Sequence, residues 1–451
     1  MTNDTHDPGA PNWRDDAADA TVDPVMTNSV GSAARSRRRL AGLVALIALG
    51  AAACADDKPL NIFEPAGPKA EDIDNLMTFI WPIVAIIFVL VVGGGIWLAI
   101  RNRVKPEDFD YDDLPEQVHG NFRLEMLWTI LPGVLLAVIS IPTVQGIWNL
   151  EVKNEAAELD VMVIGQQWWW EYRYDIDGDG FFIDANGDGA VDEADREWPL
   201  NLVLDPDDVI TANELVIPAG QQIDLILTSR DVIHSFWIPR LNGKRDTVPG
   251  RWHTWSLEAF EPGKYTGWCT EFCGLSHARM RMSTIALEPA DFDAWLANQA
   301  QLAEVPTDEQ ALRGRDIFAN QCMSCHVITD GEFEYPEPFE PPLTSGAAPN
   351  LTHLATRTTF AGGIFATYLG PGTEPNDDAF DVANYVDLAT LAQAPDSPDD
   401  FRWNTPQLKR WVSNAPALKD MAPDDGRGML PFPQLTDEQL DDVVAYLATL
   451  D

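Results

Sequence analysis

The chain has 451 residues, of which 71 are acidic and 30 basic, so its formal net charge is −41. This length suits two or three domains, and so acidic a surface repels nucleic acid and favours cationic partners, which excludes a nucleic-acid role. The sequence has five cysteines, too few for a disulfide scaffold. Four of them form two close pairs, which we interpret as sites.

The amino-terminal region has the features of an export signal. Arginines 37–39 precede an uncharged apolar run, residues 40–53, which is too short to cross a bilayer comfortably and ends in small residues before Cys54. We therefore predict an export signal region over residues 1–54. Two interpretations of Cys54 stay open, lipidation as in bacterial lipoproteins or simple cleavage nearby, because Ala51 stands where the lipoprotein motif usually has leucine.

Two longer apolar runs predict a transmembrane hairpin over residues 75–150. The runs, residues 77–100 and 126–150, carry no charge, and each exceeds the roughly 20 residues that a bilayer crossing requires. Basic residues begin and end the connector between them, which predicts a cytoplasmic connector and outward-facing outer ends. Everything after residue 151 is then expected to face outward.

The outward part changes character near residue 290. Residues 151–290 contain segments of alternating apolar and polar residues with Pro-Gly and Asn-Gly turns, a pattern that indicates an antiparallel sandwich or barrel. A short helix and linker are predicted over residues 291–306. Residues 307–451 are helical and rich in loops, and we assign them to a last domain.

A cluster of sulfur and imidazole groups lies near the end of the barrel segment. The stretch CTEFCGLSHARM supplies Cys269, Cys273, His277 and Met280, and His234 lies on an earlier predicted strand. Soft sulfur with imidazole selects copper over calcium, magnesium or manganese, whereas zinc has little use for methionine. A disulfide between the two cysteines is the alternative in an exported domain, but it leaves the histidines and the methionine without a role.

These features together resemble cytochrome c oxidase subunit II. The motif Cys-x-Glu-x-Cys-x-x-x-His-x-x-Met follows an upstream histidine on a small barrel behind a two-helix hairpin, and the match spans roughly residues 75–290. The resemblance implies a cupredoxin-like, all-β barrel with a binuclear copper centre, in which two cysteine sulfurs bridge the metals. The implied copper ligands are His234, Cys269, Glu271 through its backbone carbonyl, Cys273, His277 and Met280.

The same resemblance implies roles for residues outside the copper motif. In GQQWWWEYRY it makes Trp168 the point where electrons enter from cytochrome c, with barrel packing as the alternative. In LEMLWTILP it makes Glu125 the entrance of a proton path into the catalytic subunit, with a merely solvated carboxylate as the alternative. In KRDTVPGR it makes Asp246, together with Glu271, a magnesium site at the interface with that subunit.

A second redox site is predicted from CMSCH. Cys-x-x-Cys-His is the attachment signature of haem c, with thioether bonds from Cys322 and Cys325 and with His326 as the proximal iron ligand. For the sixth ligand we predict Met429, which precedes a proline-rich turn and an amphipathic helix, with Met421 as the alternative. The segment resembles an all-α class I cytochrome c, and PNLTHLATR resembles the fused cytochrome domain of caa-type oxidases.

The resemblances imply subunit II of a proton-translocating haem-copper cytochrome c oxidase. Haem c would accept electrons from cytochrome c or another external donor, and the copper centre would pass them to the oxygen-reducing subunit I. Subunits I and III are implied partners, in a bacterial plasma membrane with both redox domains outside. A free copper-delivery module is an alternative that leaves the hairpin and haem motif unused; nitrous oxide reductase adds a propeller domain, and quinol oxidases lack the cysteines.

An acidic insertion at residues 175–195 repeats an Asp-Gly pattern. Its second copy follows the spacing of a calcium loop, and the oxygen donors would be Asp184, Asn186, Asp188, Asp192 and Asp195. Two interpretations stay open, a weak calcium site or a solvated acidic hairpin, because acidic residues occur throughout the chain and no second helix clearly frames the loop.

Overall fold

The computed structural model describes residues 60–103, 119–151, 159–176, 209–333, 348–370, 374–375 and 402–451. These residues all belong to one compact unit, Asp57–Asp451. The predicted export signal with Cys54 and the predicted calcium loop lie outside the described residues, so both stay predictions.

Two long apolar helices form the membrane hairpin. Helix α1 spans Pro68–Arg101 and α2 spans Phe122–Glu151, with mean hydropathies of 2.8 and 2.0 over their most apolar windows. By length and composition both can cross a bilayer. Lys69 Nζ donates a hydrogen bond to the backbone carbonyl of Asn149 at 2.6 Å. The start of α1 therefore meets the end of α2, as expected for an antiparallel pair of helices.

The next domain is a barrel of short strands. In the described part of the chain these are β1 Asp160–Gln166, β2 Trp169–Asp175, β3 Val209–Ala212, β4 Glu214–Pro218, β5 Ile223–Ser229, β6 His234–Trp237, β7 Lys244–Thr247, β8 His253–Leu257, β9 Gly263–Trp268 and β10 Arg281–Leu287. One sheet has the order β3-β2-β1-β5-β8 and another has the order β4-β10-β9, while β6 pairs with β7. Apolar side chains between the sheets, such as Val163, Tyr172 and Leu225, are buried.

The expectation of a purely antiparallel barrel is wrong at two strand pairs. Strand β1 pairs parallel with β5, and β10 pairs parallel with β4. Alternating residues report which face of a strand is buried, but they carry no information on the direction of its neighbour. Parallel partners need a crossover connection, and here each pair joins strands that are far apart in the sequence.

The helix within the predicted linker packs on the barrel. Helix α3 spans Pro289–Gln299. Phe292 is buried in the barrel core, and the ring of Trp295 lies 5.3 Å from that of Tyr174 in an edge-to-face contact. The first part of the segment is therefore fixed to the barrel, because it carries two aromatic anchors.

The last domain is helical. Its α-helices in the described residues are α4 Glu309–Gln321, α5 Thr405–Asn414 and α6 Asp437–Leu447, and its short strands are β11 Thr359–Phe360, β12 Phe365–Ala366, β13 Tyr368–Leu369 and β14 Arg402–Trp403. Helices α4 and α6 touch at Gly314, where any side chain would collide with the backbone carbonyl of Asp442. Thr436 and Gln439 form a capping box at the start of α6.

The barrel and the last domain are docked against each other. The buried carboxylate of Glu214 on β4 accepts hydrogen bonds from the backbone N–H of Thr358 at 2.9 Å and from the hydroxyls of Thr358 and Thr359. On the loop before β10, the hydroxyl of Ser276 donates to the backbone carbonyl of Asp420. These contacts place the last domain beside the loop that carries Cys269 and Cys273.

Candidate metal centre and haem cavity

The loop between β9 and β10 places the sulfur ligands. Because these strands pair antiparallel, Cys269 follows β9 directly opposite Met280, and the N–H of Cys269 donates to the carbonyl of Met280 at 3.0 Å. A 3₁₀ turn, His277–Arg279, brings His277 back toward Cys273. The N–H of Thr270 donates to the carbonyl of Ser235 at 3.1 Å, which holds the loop beside β6 and its first residue, His234.

The side chains of this loop converge on one small volume. The sulfurs of Cys269 and Cys273 lie 3.8 Å apart, and each faces one imidazole: Cys269 lies 3.9 Å from His234 Nδ1, and Cys273 lies 3.6 Å from His277 Nδ1. Met280 Sδ lies 3.8 Å from the Cys273 sulfur. The backbone carbonyl of Glu271 lies 3.2 Å from the Cys269 sulfur.

The residues present fit a copper centre. Both cysteines are free thiols, and their separation is far beyond the roughly 2.05 Å of a disulfide bond. Two thiolates, two imidazoles and a thioether are ligands that suit copper.

A carboxylate that sequence reasoning missed orients His234. Asp231 Oδ1 accepts a hydrogen bond from His234 Nε2 at 2.8 Å, and its other oxygen accepts from the backbone N–H of Gln167 at 2.7 Å. Burial lowers the pKa of His234, but hydrogen bonds with Asp231 and Cys269 outweigh this effect, so the pKa is raised. Asp231 thereby leaves Nδ1 free to face the sulfur. The sequence signal that could have identified Asp231 is its position three residues before His234.

The two thiols do not titrate alike. The hydrogen bond from Cys273 lowers the pKa of the Cys269 thiol, and the same pairing, reinforced by burial, raises the pKa of Cys273. Cys269 is therefore the first of the two to reach the thiolate form that binds metal.

Trp168 connects this loop to the last domain. Its side chain is buried, with 3% exposed, and its indole N–H donates to the backbone carbonyl of Cys273 at 3.0 Å. Its own backbone carbonyl accepts a hydrogen bond from Lys419 of the last domain at 2.6 Å. The neighbouring Trp170 packs in the barrel against Phe236, with ring centroids 5.5 Å apart. Both tryptophans belong to the buried cluster of the barrel, and Trp168 in addition contacts the last domain.

A cavity of about 310 Å³ adjoins Trp168. The CMSCH residues Cys322, Cys325 and His326 line it together with Met421, Met429, Trp168 and Trp169. His326 Nδ1 donates to the backbone carbonyl of Pro349 at 2.8 Å, which leaves Nε2 for a metal. Burial lowers the pKa of His326 and favours the neutral imidazole that binds iron. The residues present therefore fit haem c.

Both methionines predicted as candidates for the sixth ligand line this cavity, but they differ in their contacts. Met421 Sδ accepts a hydrogen bond from the backbone N–H of Met429 at 3.3 Å, and Met421 also packs against the barrel core. The sulfur of Met421 therefore already has a partner in the protein.

The remaining predicted residues lie apart from the sulfur cluster. Glu125 is exposed in the first turn of α2, and its carboxylate accepts a hydrogen bond from the backbone N–H of Asn121 at 3.0 Å. Asp246 and Glu271 are both exposed. Asp246 on β7 pairs with Ser235 on β6. The carbonyl of Ser235 accepts a hydrogen bond from the N–H of Thr270, the residue before Glu271.

Three family models match consecutive parts of the chain. They are the transmembrane domain of cytochrome c oxidase subunit II over residues 56–145, the periplasmic domain of the same subunit over residues 159–287, and cytochrome c over residues 311–451.

Similar proteins carry the same description. Cytochrome c oxidase subunit 2 of Alkalihalophilus pseudofirmus is 28% identical over 403 residues, which cover 88% of this chain and 92% of that protein. The probable cytochrome c oxidase subunit 2 of Rickettsia bellii is 30% identical over 240 residues, which cover 53% of this chain and 83% of that protein. The crystal structure of the periplasmic domain of subunit II of the Bradyrhizobium japonicum oxidase is 28% identical, covers 33% of this chain and 96% of that one, and has a TM-score of 0.24.

Fold and sites together define a membrane protein with a cupredoxin-like copper domain and a c-type cytochrome domain, a class that serves respiratory electron transport. The chain belongs to the cytochrome c oxidase subunit II family, with a fused carboxyl-terminal cytochrome c domain, and is a subunit of cytochrome c oxidase.

Proposed function

We propose that this chain receives electrons from cytochrome c or another external donor at its own haem c and passes them through a binuclear copper centre to the oxygen-reducing subunit I. One observation carries the proposal: a single residue, Trp168, lines the cavity beside the CMSCH motif and also donates a hydrogen bond to the carbonyl of Cys273 in the copper loop.

The ligands of the two centres have separate tasks in this proposal. When bound, haem c and the copper centre would each supply a one-electron redox centre. Cys322 and Cys325 bind the haem covalently, and His326 and Met429 bind its iron. Copper is held by the side chains of His234, Cys269, Cys273, His277 and Met280 and by the carbonyl of Glu271.

The position of Trp168 bears on where an external donor acts. Because the cytochrome domain covers this residue, a soluble cytochrome reaches the haem edge instead of Trp168. The strongly acidic chain favours a cationic donor. On the copper loop, Phe272 and Leu275 are 76% and 62% exposed. We propose that subunit I covers this apolar surface and that subunit III completes the assembly.

Further proposals concern the membrane and the protons. We propose that the chain is a multi-pass protein of a bacterial plasma membrane with both redox domains outside, supported by the basic residues that flank the α1–α2 connector. Glu125 then lies at the start of a proton path into subunit I. Asp246 and Glu271 bind magnesium at the interface with subunit I, supported by their exposure on neighbouring backbone segments.

The test of the proposed function is an absorption spectrum of the full chain in detergent, with haem attached and copper added. We expect haem c bands together with the near-infrared band of a mixed-valence copper pair. A chain that takes up haem but develops no near-infrared band would contradict the copper half of the proposal.

For the acidic insertion we predict weak calcium binding, with a Kd of about 1 mM as in extracellular calcium modules. Calorimetric titration of the full chain with calcium should show heat that disappears in Asp188→Ala, because this residue supplies a central oxygen ligand of the predicted loop. Equal traces for both proteins, with no change in Tm at several millimolar calcium, would leave a solvated acidic hairpin.

A further inference from the structure

Lys419 is a buried cation in the interface between the two redox domains. It follows a 3₁₀ turn of the cytochrome domain, Ala415–Ala417, and only 3% of it is exposed. Its Nζ donates hydrogen bonds to the backbone carbonyl of Trp168 at 2.6 Å and to that of Ala361 at 3.2 Å. Burying an amine is costly unless its hydrogen bonds are made inside the protein. Lys419 makes one hydrogen bond to a carbonyl of the barrel and one to a carbonyl of the cytochrome domain.

The surroundings hold this amine in place. Gly362 has a φ of +77°, and a methyl group there would collide with Lys419 Nζ and approach the Trp168 carbonyl to 3.0 Å. Ammonium and neutral amine can both donate to two carbonyls, so the arrangement does not depend on the charge of Lys419.

Trp168 is therefore fixed from two sides. Its indole N–H is bound to the carbonyl of Cys273 in the copper loop, and its backbone carbonyl is bound to Lys419. The first contact belongs to the copper domain itself, whereas the second comes from the domain that carries the haem motif.

We infer that Lys419 is a positioning residue for internal electron transfer, because it holds Trp168 between the haem cavity and the copper loop. The inference rests on the proposed function, in which electrons pass from the haem domain to copper. The hydrogen bonds of Lys419 go to the backbone carbonyls of Trp168 and Ala361, so it acts through Trp168. Docking of the domains has its own contacts, from Glu214 to Thr358 and Thr359.

The experiment compares Lys419→Met with the full wild-type chain loaded with haem and copper. A photosensitiser with a sacrificial electron donor reduces the haem after a light pulse, and electron transfer is followed as reoxidation of the haem and loss of the near-infrared copper band. Loss of the hydrogen bond to the Trp168 carbonyl lets Trp168 shift between the two centres, so we expect the variant to transfer electrons several-fold more slowly than the wild type. Lys419→Gln keeps a donor and should have an intermediate rate.

The control is Lys409→Met, which removes a cation of the same domain that pairs with Asp441 at 2.7 Å, away from Trp168. It should transfer electrons at the wild-type rate. Hydrogen exchange at the Thr358 amide reports docking and should be unchanged in Lys419→Met.

Three results would overturn the inference. They are a Lys419→Met rate within about twofold of wild type, a slower rate fully explained by a changed haem potential, and lost protection at the Thr358 amide, which would make Lys419 a docking residue. If haem and copper are both bound but the wild-type chain transfers no electron between them, the proposed function itself fails, and this inference fails with it.

Discussion

Replacing His277 with alanine is expected to abolish oxygen consumption by the assembled oxidase while haem c stays attached and reducible. His277 Nδ1 lies 3.6 Å from the Cys273 sulfur, and we propose that this imidazole is a copper ligand. Mutation of even the outer partners of metal ligands costs about 10- to 100-fold in affinity or activity, so loss of a ligand should cost more. The measurement is oxygen uptake, together with the haem c and near-infrared absorption bands.

Met280→Leu removes another proposed copper ligand with little change in volume, and it should also reduce oxygen uptake while haem c stays attached. Its control is Met282→Leu, whose side chain lies against Gly267 in the barrel core. Volume-conserving swaps of this kind usually cost less than about 1.5 kcal/mol, so Met282→Leu should consume oxygen normally. Normal oxygen uptake in either His277→Ala or Met280→Leu would contradict the copper assignment.

The second large effect is expected at the haem iron. Met429→Ala should convert a low-spin haem to a high-spin or misligated form and shift its potential, because an axial ligand is lost. Met421→Ala should do neither, since its sulfur already accepts a hydrogen bond from the backbone N–H of Met429. Visible spectra and potentiometric titration distinguish the two. The reverse pattern would move the ligand to Met421.

Features encoded by adjacent residues could be predicted from the sequence. The two membrane helices follow from uncharged runs long enough to cross a bilayer. The copper motif could be predicted because its four residues share one loop, namely Cys269, Cys273, His277 and Met280. Their spacing already limits where the side chains can meet. The haem motif is local in the same way, since Cys322, Cys325 and His326 lie within five consecutive residues.

Features that depend on distant residues were decided only by the tertiary structure. The parallel pairing of β1 with β5 and the packing of α3 on the barrel leave little trace in local periodicity.

The docking of the two redox domains is the largest such feature. Lys419 and Trp168 are 251 residues apart in the chain, yet a hydrogen bond joins them across the interface between the two domains. Residue type and spacing determine which chemistry a segment can perform. Which segments meet depends on the burial of surfaces that are complementary only after each domain has folded, and no local pattern records that complementarity.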